Sequence, residues 1–244
     1  MSRRLHVRIL AWTIALGLLA LPLVGLFMGW FAASHWPVRS LRVDATFRHV
    51  TAQQVRGIVR PLLAEGFFAV EPGRIQKAVA ALPWVEHVEV RKHWPDQIRI
   101  RFTEHQAFAH WNRDALINRH GIVFRAPGAS GLGELPDLHG PTGDSEEVLR
   151  FYLDARKRLA ATGLQVSGLT LTRRGSWQVR LASGAELMIG KEQPERRLRR
   201  FIAGYQQLGS PQQRPFASAD LRYSNGFAVH WLPPHDTSGG PPPA

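Results

Sequence analysis

The chain has 244 residues, 31 Lys and Arg against 19 Asp and Glu for a formal charge of +12, 44% apolar residues and no cysteine. The apolar share is enough for folded cores and excludes wholesale disorder. The missing thiols exclude a disulfide framework, a thiolate zinc site, a cysteine nucleophile and an iron–sulfur cluster, and the positive balance leaves nucleic-acid and membrane-linked readings to compete.

Residues Ile9 to Ala33 contain no charged side chain over 25 positions. A helix of that length extends about 37 Å, enough to cross a hydrocarbon layer of about 30 Å with some tilt. Trp12 and Trp30 sit near its two ends, where amphipathic rings settle at headgroup depth. Arg3, Arg4 and Arg8 precede the stretch, and residues 34–38 carry no Lys or Arg. The positive-inside rule therefore predicts a short cytoplasmic tail (1–8), a single transmembrane helix (9–33) and everything later on the far side, a single-pass type II topology. A cleaved leader fits less well, because its apolar region spans only about 7–15 residues. A chain held behind a membrane does not meet genomic DNA, so nucleic acid is not expected as a partner.

The expected fold class is α+β. Residues 34–105 read strand, helix, helix, strand, strand. Val38 to Val43 alternates apolar and polar residues. Thr51 caps a helix whose apolar positions Val55, Ile58, Val59, Leu62 and Leu63 recur at three and four, and Gly66 stops it. Pro72 opens a second helix through Ile75, Ala78, Val79 and Leu82, ending before Pro83. Val88–Arg91 and Ile98–Thr103 alternate as half-buried strands around a turn at Trp94-Pro95-Asp96. A small three-stranded sheet with two helices on one face uses every apolar position named.

Residues 106–232 read as a second, mostly antiparallel β domain with two helices. Phe108–Trp111 and Leu116–Asn118 form a hairpin, and 125–141 is loop with a short extended piece near Leu135–Leu138. Asp144, with Glu147 three residues on, predicts a capped helix carrying Val148, Phe151, Tyr152, Ala155 and Leu159 on one side. Strands follow at Leu169–Thr172, Trp177–Leu181 and Glu186–Ile189. A helix from Glu192 to Leu208 then buries Leu198, Phe201, Ile202, Tyr205 and Leu208 and turns Arg196, Arg197, Arg199 and Arg200 the other way, a solvated face or a contact for lipid or an acidic partner. A final extended segment, Ala219–Trp231, precedes a tail (233–244) expected to be disordered.

No catalytic constellation stands out. The histidines lack metal-binding helical spacing, His105 and His110 point to opposite faces of a strand, and Gly128–Gly131 is no nucleophile elbow. Neither a phosphate-binding nor a dinucleotide-binding glycine pattern occurs. The sequence argues for a binding module with no cofactor and no small-molecule substrate. Arg222, Tyr223, Phe227 and Trp231 around Asn225-Gly226 concentrate the residue types that dominate interfaces, on a segment that ends a sheet. The other reading has Phe227, Val229 and Trp231 alternating into the domain's own core, with Asn225-Gly226 as a hairpin turn.

The run Leu82-Pro83-Trp84-Val85 through Trp94-Pro95-Asp96 resembles a signature of the bacterial FtsQ/DivIB cell-division family, L-P-W-[VI]-x-x-[VA]-x-V-R-[KR]-x-W-P-[DN]. Ala109–Asn112, Leu138–Pro141, Arg174–Trp177 and Asp220–Trp231 resemble further stretches of it. The resemblance implies a POTRA domain followed by a β domain, in a non-catalytic inner-membrane protein of the division septum. It also implies that the second domain binds the small division protein FtsB, which travels with FtsL, partly by adding a strand to the C-terminal sheet edge. By position that site would comprise Tyr223, Trp231, Gly226, Asn225, Arg222 and Phe227, with Arg174 from the Arg-Gly-Ser-Trp turn. Other divisome proteins would meet the POTRA-like domain. Asn225 stands where the family has serine, and Gly175 replaces the second of a pair of arginines.

Overall fold

The computed structural model describes residues 12–21, 24, 36–207 and 215–233, in two units that divide after His105. Residues 12–21 are helical, and no helix among the described residues is long and apolar enough to cross a membrane. The tail 1–8, the rest of the apolar stretch, Leu208 and residues 234–244 lie outside the described residues.

In the first unit, β1 (Ser40–Asp44), β2 (Val85–His93) and β3 (Gln97–Glu104) form a sheet in the order β1-β3-β2. Its strand β1 runs parallel to β3, and β2 antiparallel. The parallel pairing follows from the two helices between β1 and β2, α1 (Ala52–Leu63) and α2 (Pro72–Ala80). Thr51 and Gln54 form a capping box at the start of α1. Gly66, at φ +85°, takes the left-handed conformation that lets the chain leave it. Ile98, Ile100 and Phe102 on one face of β3 are buried, as are Val55, Val59, Ile75 and Val79 on the helices. The alternation read from the sequence thus marks the core face, and the other face of the sheet is polar.

Glu104 ends β3 as a buried carboxylate. Its oxygens accept from the backbone N–H groups of Arg48, His49 and Val50 at 3.0, 2.8 and 3.2 Å, and Nδ1 of His49 lies 3.1 Å away. The His49 ring stacks on Trp84 with centroids 3.7 Å apart. Burial works to raise the Glu104 pKa, and the three backbone donors with His49 outweigh it, leaving the carboxyl below its ordinary value. The stabilisation is therefore complete above the ordinary glutamate range and disappears as the pH falls through the depressed titration. Glu104→Gln, which turns an amide NH2 toward these donors, should cost about 1–2 kcal/mol and flatten the acid limb of a melting-temperature profile. An unchanged acid limb would contradict this role.

The second unit is a nine-stranded sheet in the order β12-β11-β10-β9-β8-β7-β4-β5-β6. Its strands are β4 (Ala107–Trp111), β5 (Ala115–Asn118), β6 (Val123–Phe124), β7 (Asp137–His139), β8 (Val166–Leu171), β9 (Trp177–Leu181), β10 (Glu186–Gly190), β11 (Phe216–Asp220) and β12 (Ala228–Trp231). Two helices, α3 (Ser145–Ala160) and α4 (Pro194–Gln207), bury Phe151, Tyr152, Leu159, Leu198 and Phe201 in one cluster with the sheet's apolar residues. Both described units are thus α+β.

The extended piece near Leu135–Leu138 becomes β7, inserted parallel to both β4 and β8. Three residues hold a central place because neighbours bracket them: Asn112 Oδ1 accepts from the Gly140 N–H at 3.2 Å, and Asn112 Nδ2 donates to the Gly140 carbonyl at 3.3 Å. A Cβ on Gly140 would lie 2.9 Å from both Trp111 and Val148, so only glycine fits. The two-residue β6 was not legible in the sequence. The predicted cap at Asp144 is not made: its backbone (φ −99°, ψ 14°) departs from the extended geometry a cap needs, and no side-chain bond forms. Instead the Ser145 hydroxyl donates to the Gly121 carbonyl at 2.8 Å, docking the helix start on the β5–β6 turn.

Candidate functional site

The C-terminal segment is two strands, not one. The chain turns at 221–227 and β12 returns antiparallel to β11. Neither Asn225 nor Gly226 has positive φ, so the tight two-residue hairpin also considered is absent and a seven-residue loop replaces it. Strand β12 closes the sheet order and pairs with β11 alone among the described residues. Leu232 N–H donates to the Pro215 carbonyl at 2.9 Å. Alternation back from Leu232 turns the His230 N–H toward β11 and the Val229 N–H outward, away from the sheet.

Packing under the loop starts from α4. Phe201 is fully buried, with ring centroids 5.3 Å from Tyr205, 6.4 Å from Phe216 and 5.2 Å from Phe227. Phe227 crosses α4 at Gly204, where a Cβ would lie 2.6 Å from its ring. Trp231 packs on Phe216 with centroids 6.3 Å apart. The aromatic side chains of Phe227 and Trp231 are thus half-buried against this domain's own core, the outcome foreseen in the core reading.

Tyr223 behaves differently. It is 57% exposed, on a loop with Arg222, Ser224 and Asn225 also exposed and Gly226 half-buried. The loop is held from beneath by Arg200, which donates to the carbonyls of Leu221 (3.2 Å), Tyr223 (2.5 Å) and Ser224. Arg197 donates to the Ile189 carbonyl at 2.9 Å. Two of the four arginines assigned to a solvated helix face therefore turn inward, while Arg196 and Arg199 are exposed. Orphan carbonyls in the loop need donors, and a guanidinium offers five in a planar fork. The readable signal was the i, i+3 spacing of Arg197 and Arg200 flanking the Leu198–Phe201 stripe.

Arg222 binds Asp220 through three contacts of 2.7–3.1 Å. The guanidinium holds the Asp220 carboxyl below the usual range. Arg174 lies exposed in the β8–β9 turn. Through the register Leu171↔Trp177, Trp177↔Gly190 and Met188↔Asp220, that turn sits at the same end of the sheet as the 221–227 loop. Gly175 there has φ +79°, in the left-handed region that glycine adopts without strain. The structure thus gathers Arg174, Arg222, Tyr223, Asn225 and Gly226 at one end, beside a strand flank that pairs with no other strand among the described residues; Phe227 and Trp231 supply its support.

A separate depression of about 730 Å³ is lined by Phe108, Tyr152, Arg156 and Val166 among others. Burial pushes the Tyr152 phenol up, opposed by Arg156. No group of three potential metal ligands occurs among the described residues.

Residues 36–105 match the family described as POTRA domain, FtsQ-type, and residues 109–222 match cell division protein FtsQ/DivIB, C-terminal. The second match stops before the exposed loop tip and β12. Cell division protein FtsQ of Xanthomonas campestris pv. campestris is 44% identical over 223 residues, covering 91% of this chain and 80% of that protein. The protein of the same name from Vibrio cholerae is 37% identical over 198 residues, covering 81% and 76%. That from Allochromatium vinosum is 34% identical over 226 residues, covering 91% and 90%.

Proposed function

The chain belongs to the FtsQ/DivIB family of cell-division proteins, and from that premise we propose that it is a non-catalytic, bitopic inner-membrane protein of the division septum that captures a partner strand along β12. Residues 9–33 anchor it, the N-terminus is cytoplasmic, and both described domains work in the periplasm. The partner is the FtsB–FtsL pair, with FtsB adding a strand to the edge, and other divisome proteins meet the POTRA domain.

The observation that carries this reading is a flank of β12 left open among the described residues, beside an exposed tyrosine on a braced loop. An unpaired edge offers ladder hydrogen bonds to any extended segment, and side-chain anchors select which segment. Arg200 and Phe201 fix the loop before the partner arrives, which lowers the ordering cost of binding. Arg174, exposed at this end, favours an acidic segment, whereas the charge of Arg222 is already met by Asp220.

Backbone pairing has its own test. Val229→Pro deletes an N–H that points outward and spares the bonds to β11, and proline is tolerated on an edge with that orientation. The full-length variant, calorimetrically titrated with FtsB–FtsL, should bind about tenfold more weakly than Val229→Ala, which gives up the same packing on the core but keeps the N–H. Undiminished binding would mean that side chains alone hold the partner.

A further inference from the structure

One end of the POTRA unit is built unlike the other. The chain enters at Trp36, whose carbonyl accepts from the Phe67 N–H at 2.8 Å and whose ring meets Phe68 edge-on at 5.6 Å. Arg39 N–H donates to the Asp96 carbonyl at 3.0 Å, and Ser40 pairs with Gln97, so the chain entry lies against the β2–β3 turn. Trp94 sits in that turn, and Lys92 just before it donates to the Phe68 carbonyl at 3.1 Å. Three aromatic side chains therefore share this end with exposures of 38% for Trp36, 45% for Phe68 and 76% for Trp94. Trp94 belongs to the Trp-Pro-Asp run, yet it contributes nothing to the core.

The polar face of the sheet continues the pattern. Arg42 and Arg91 both stand opposite Arg99, forming a row of guanidinium groups across all three strands, and Arg101 follows. Like charges directly opposed across strands are unfavourable. Asp44 lies 3.3 Å from Arg42 and 3.8 Å from Arg99, and Glu89 takes Arg91 at 2.6 Å, so two carboxylates face four arginines. A depression of about 140 Å³ lined by Glu89, Arg91, His93, Arg99 and Arg101 opens here, and the buried Nε of Arg99 has no hydrogen-bond partner. The row stands two residues from the aromatic end, about 7 Å along the strands. That is inside the screening length of about 8–10 Å at cellular ionic strength.

We propose that this end of the POTRA unit docks on the anionic bilayer from which the chain emerges, with Trp36, Phe68 and Trp94 seated at headgroup depth and the Arg42–Arg99–Arg91 row drawn to lipid phosphates. The inference rests on reading residues 9–33 as the membrane anchor. That reading brings the chain out of the bilayer three residues before Trp36, so the aromatic end cannot stray far from headgroups. Tryptophan prefers the membrane–water boundary, and each nearby guanidinium gains from negative lipid. Docking would fix the orientation of the POTRA unit to the membrane and leave its other surfaces for division partners.

The absence of native cysteine makes the test direct. The full chain is reconstituted with one fluorophore-labelled cysteine at Ala69→Cys beside Phe68, Ala81→Cys at the opposite end of the unit, or Gly17→Cys within the anchor. Vesicles contain nitroxide lipids, and either phosphatidylcholine alone or added phosphatidylglycerol. In phosphatidylglycerol vesicles the label at 69 should be quenched by headgroup nitroxides at least about twofold more than that at 81. Trp94→Ala, or Arg42→Gln with Arg91→Gln, should return it to the level at 81; these side chains are exposed, so folding is spared. Equal quenching at 69 and 81 with the label at 17 quenched by mid-chain nitroxides would overturn the docking and keep the anchor. An unquenched label at 17 would overturn both. Quenching at 69 that ignores phosphatidylglycerol and the arginines would overturn the role given to the arginine row.

Discussion

On the proposed reading of β12 as the capture edge, Tyr223→Ala will weaken binding of FtsB–FtsL by about thirtyfold or more, equivalent to at least about 2 kcal/mol, while leaving the thermal transition of the protein where it was. Two halves of the structure lead to this. Tyr223 is 57% exposed, so its removal takes little from the core. Its backbone is held by Arg200, so the side chain is presented from a fixed loop and loses little entropy on binding. A tyrosine buries a large area and keeps a hydroxyl for a hydrogen bond, the combination that concentrates binding energy. Calorimetric titration of the full-length variant reads the affinity, and scanning calorimetry reads the fold. An undiminished affinity would remove Tyr223 from the interface, and a lowered transition would recast it as structural.

Phe201→Ala should do the reverse, costing about 3–5 kcal/mol of stability and losing partner binding as a consequence. Its ring touches Tyr205, Phe216 and Phe227, and Phe216 in turn carries Trp231. Truncation leaves a cavity beneath β11 and the loop at once, and close-packed neighbours collapse into it only in part. Denaturant unfolding should show a lower midpoint for the second unit, because this side chain belongs to that unit's core cluster. Phe201→Leu, which keeps most of the volume, should recover most of the loss. If Phe201→Ala left the midpoint unchanged, the aromatic stack would not be what supports the edge.

The contrast between these residues shows what could be read early. The strands and helices of the POTRA unit were legible because their apolar residues recur strictly: Ile98, Ile100 and Phe102 at two, Val55 and Val59 at four. The family signature was legible for a related reason, since Trp84 stacks on His49 and Gly140 meets Trp111 where few other residues fit. The candidate site was half legible. Composition singled out Arg222, Tyr223, Phe227 and Trp231 together, but could not divide them into an exposed anchor and half-buried props.

Sequence alone therefore determined most of the elements, though not β6 or the break between β11 and β12, together with the separation of two α+β units and the resemblance to a family, because local periodicity and steric exclusion are written into neighbouring residues. Tertiary structure alone decided that β7 stands mid-sheet, that β12 is the terminal strand and that Arg200 reaches the carbonyls of Leu221 and Tyr223. Those outcomes depend on which distant segments pair, and a side chain's face is fixed only once its neighbours from elsewhere in the chain have arrived.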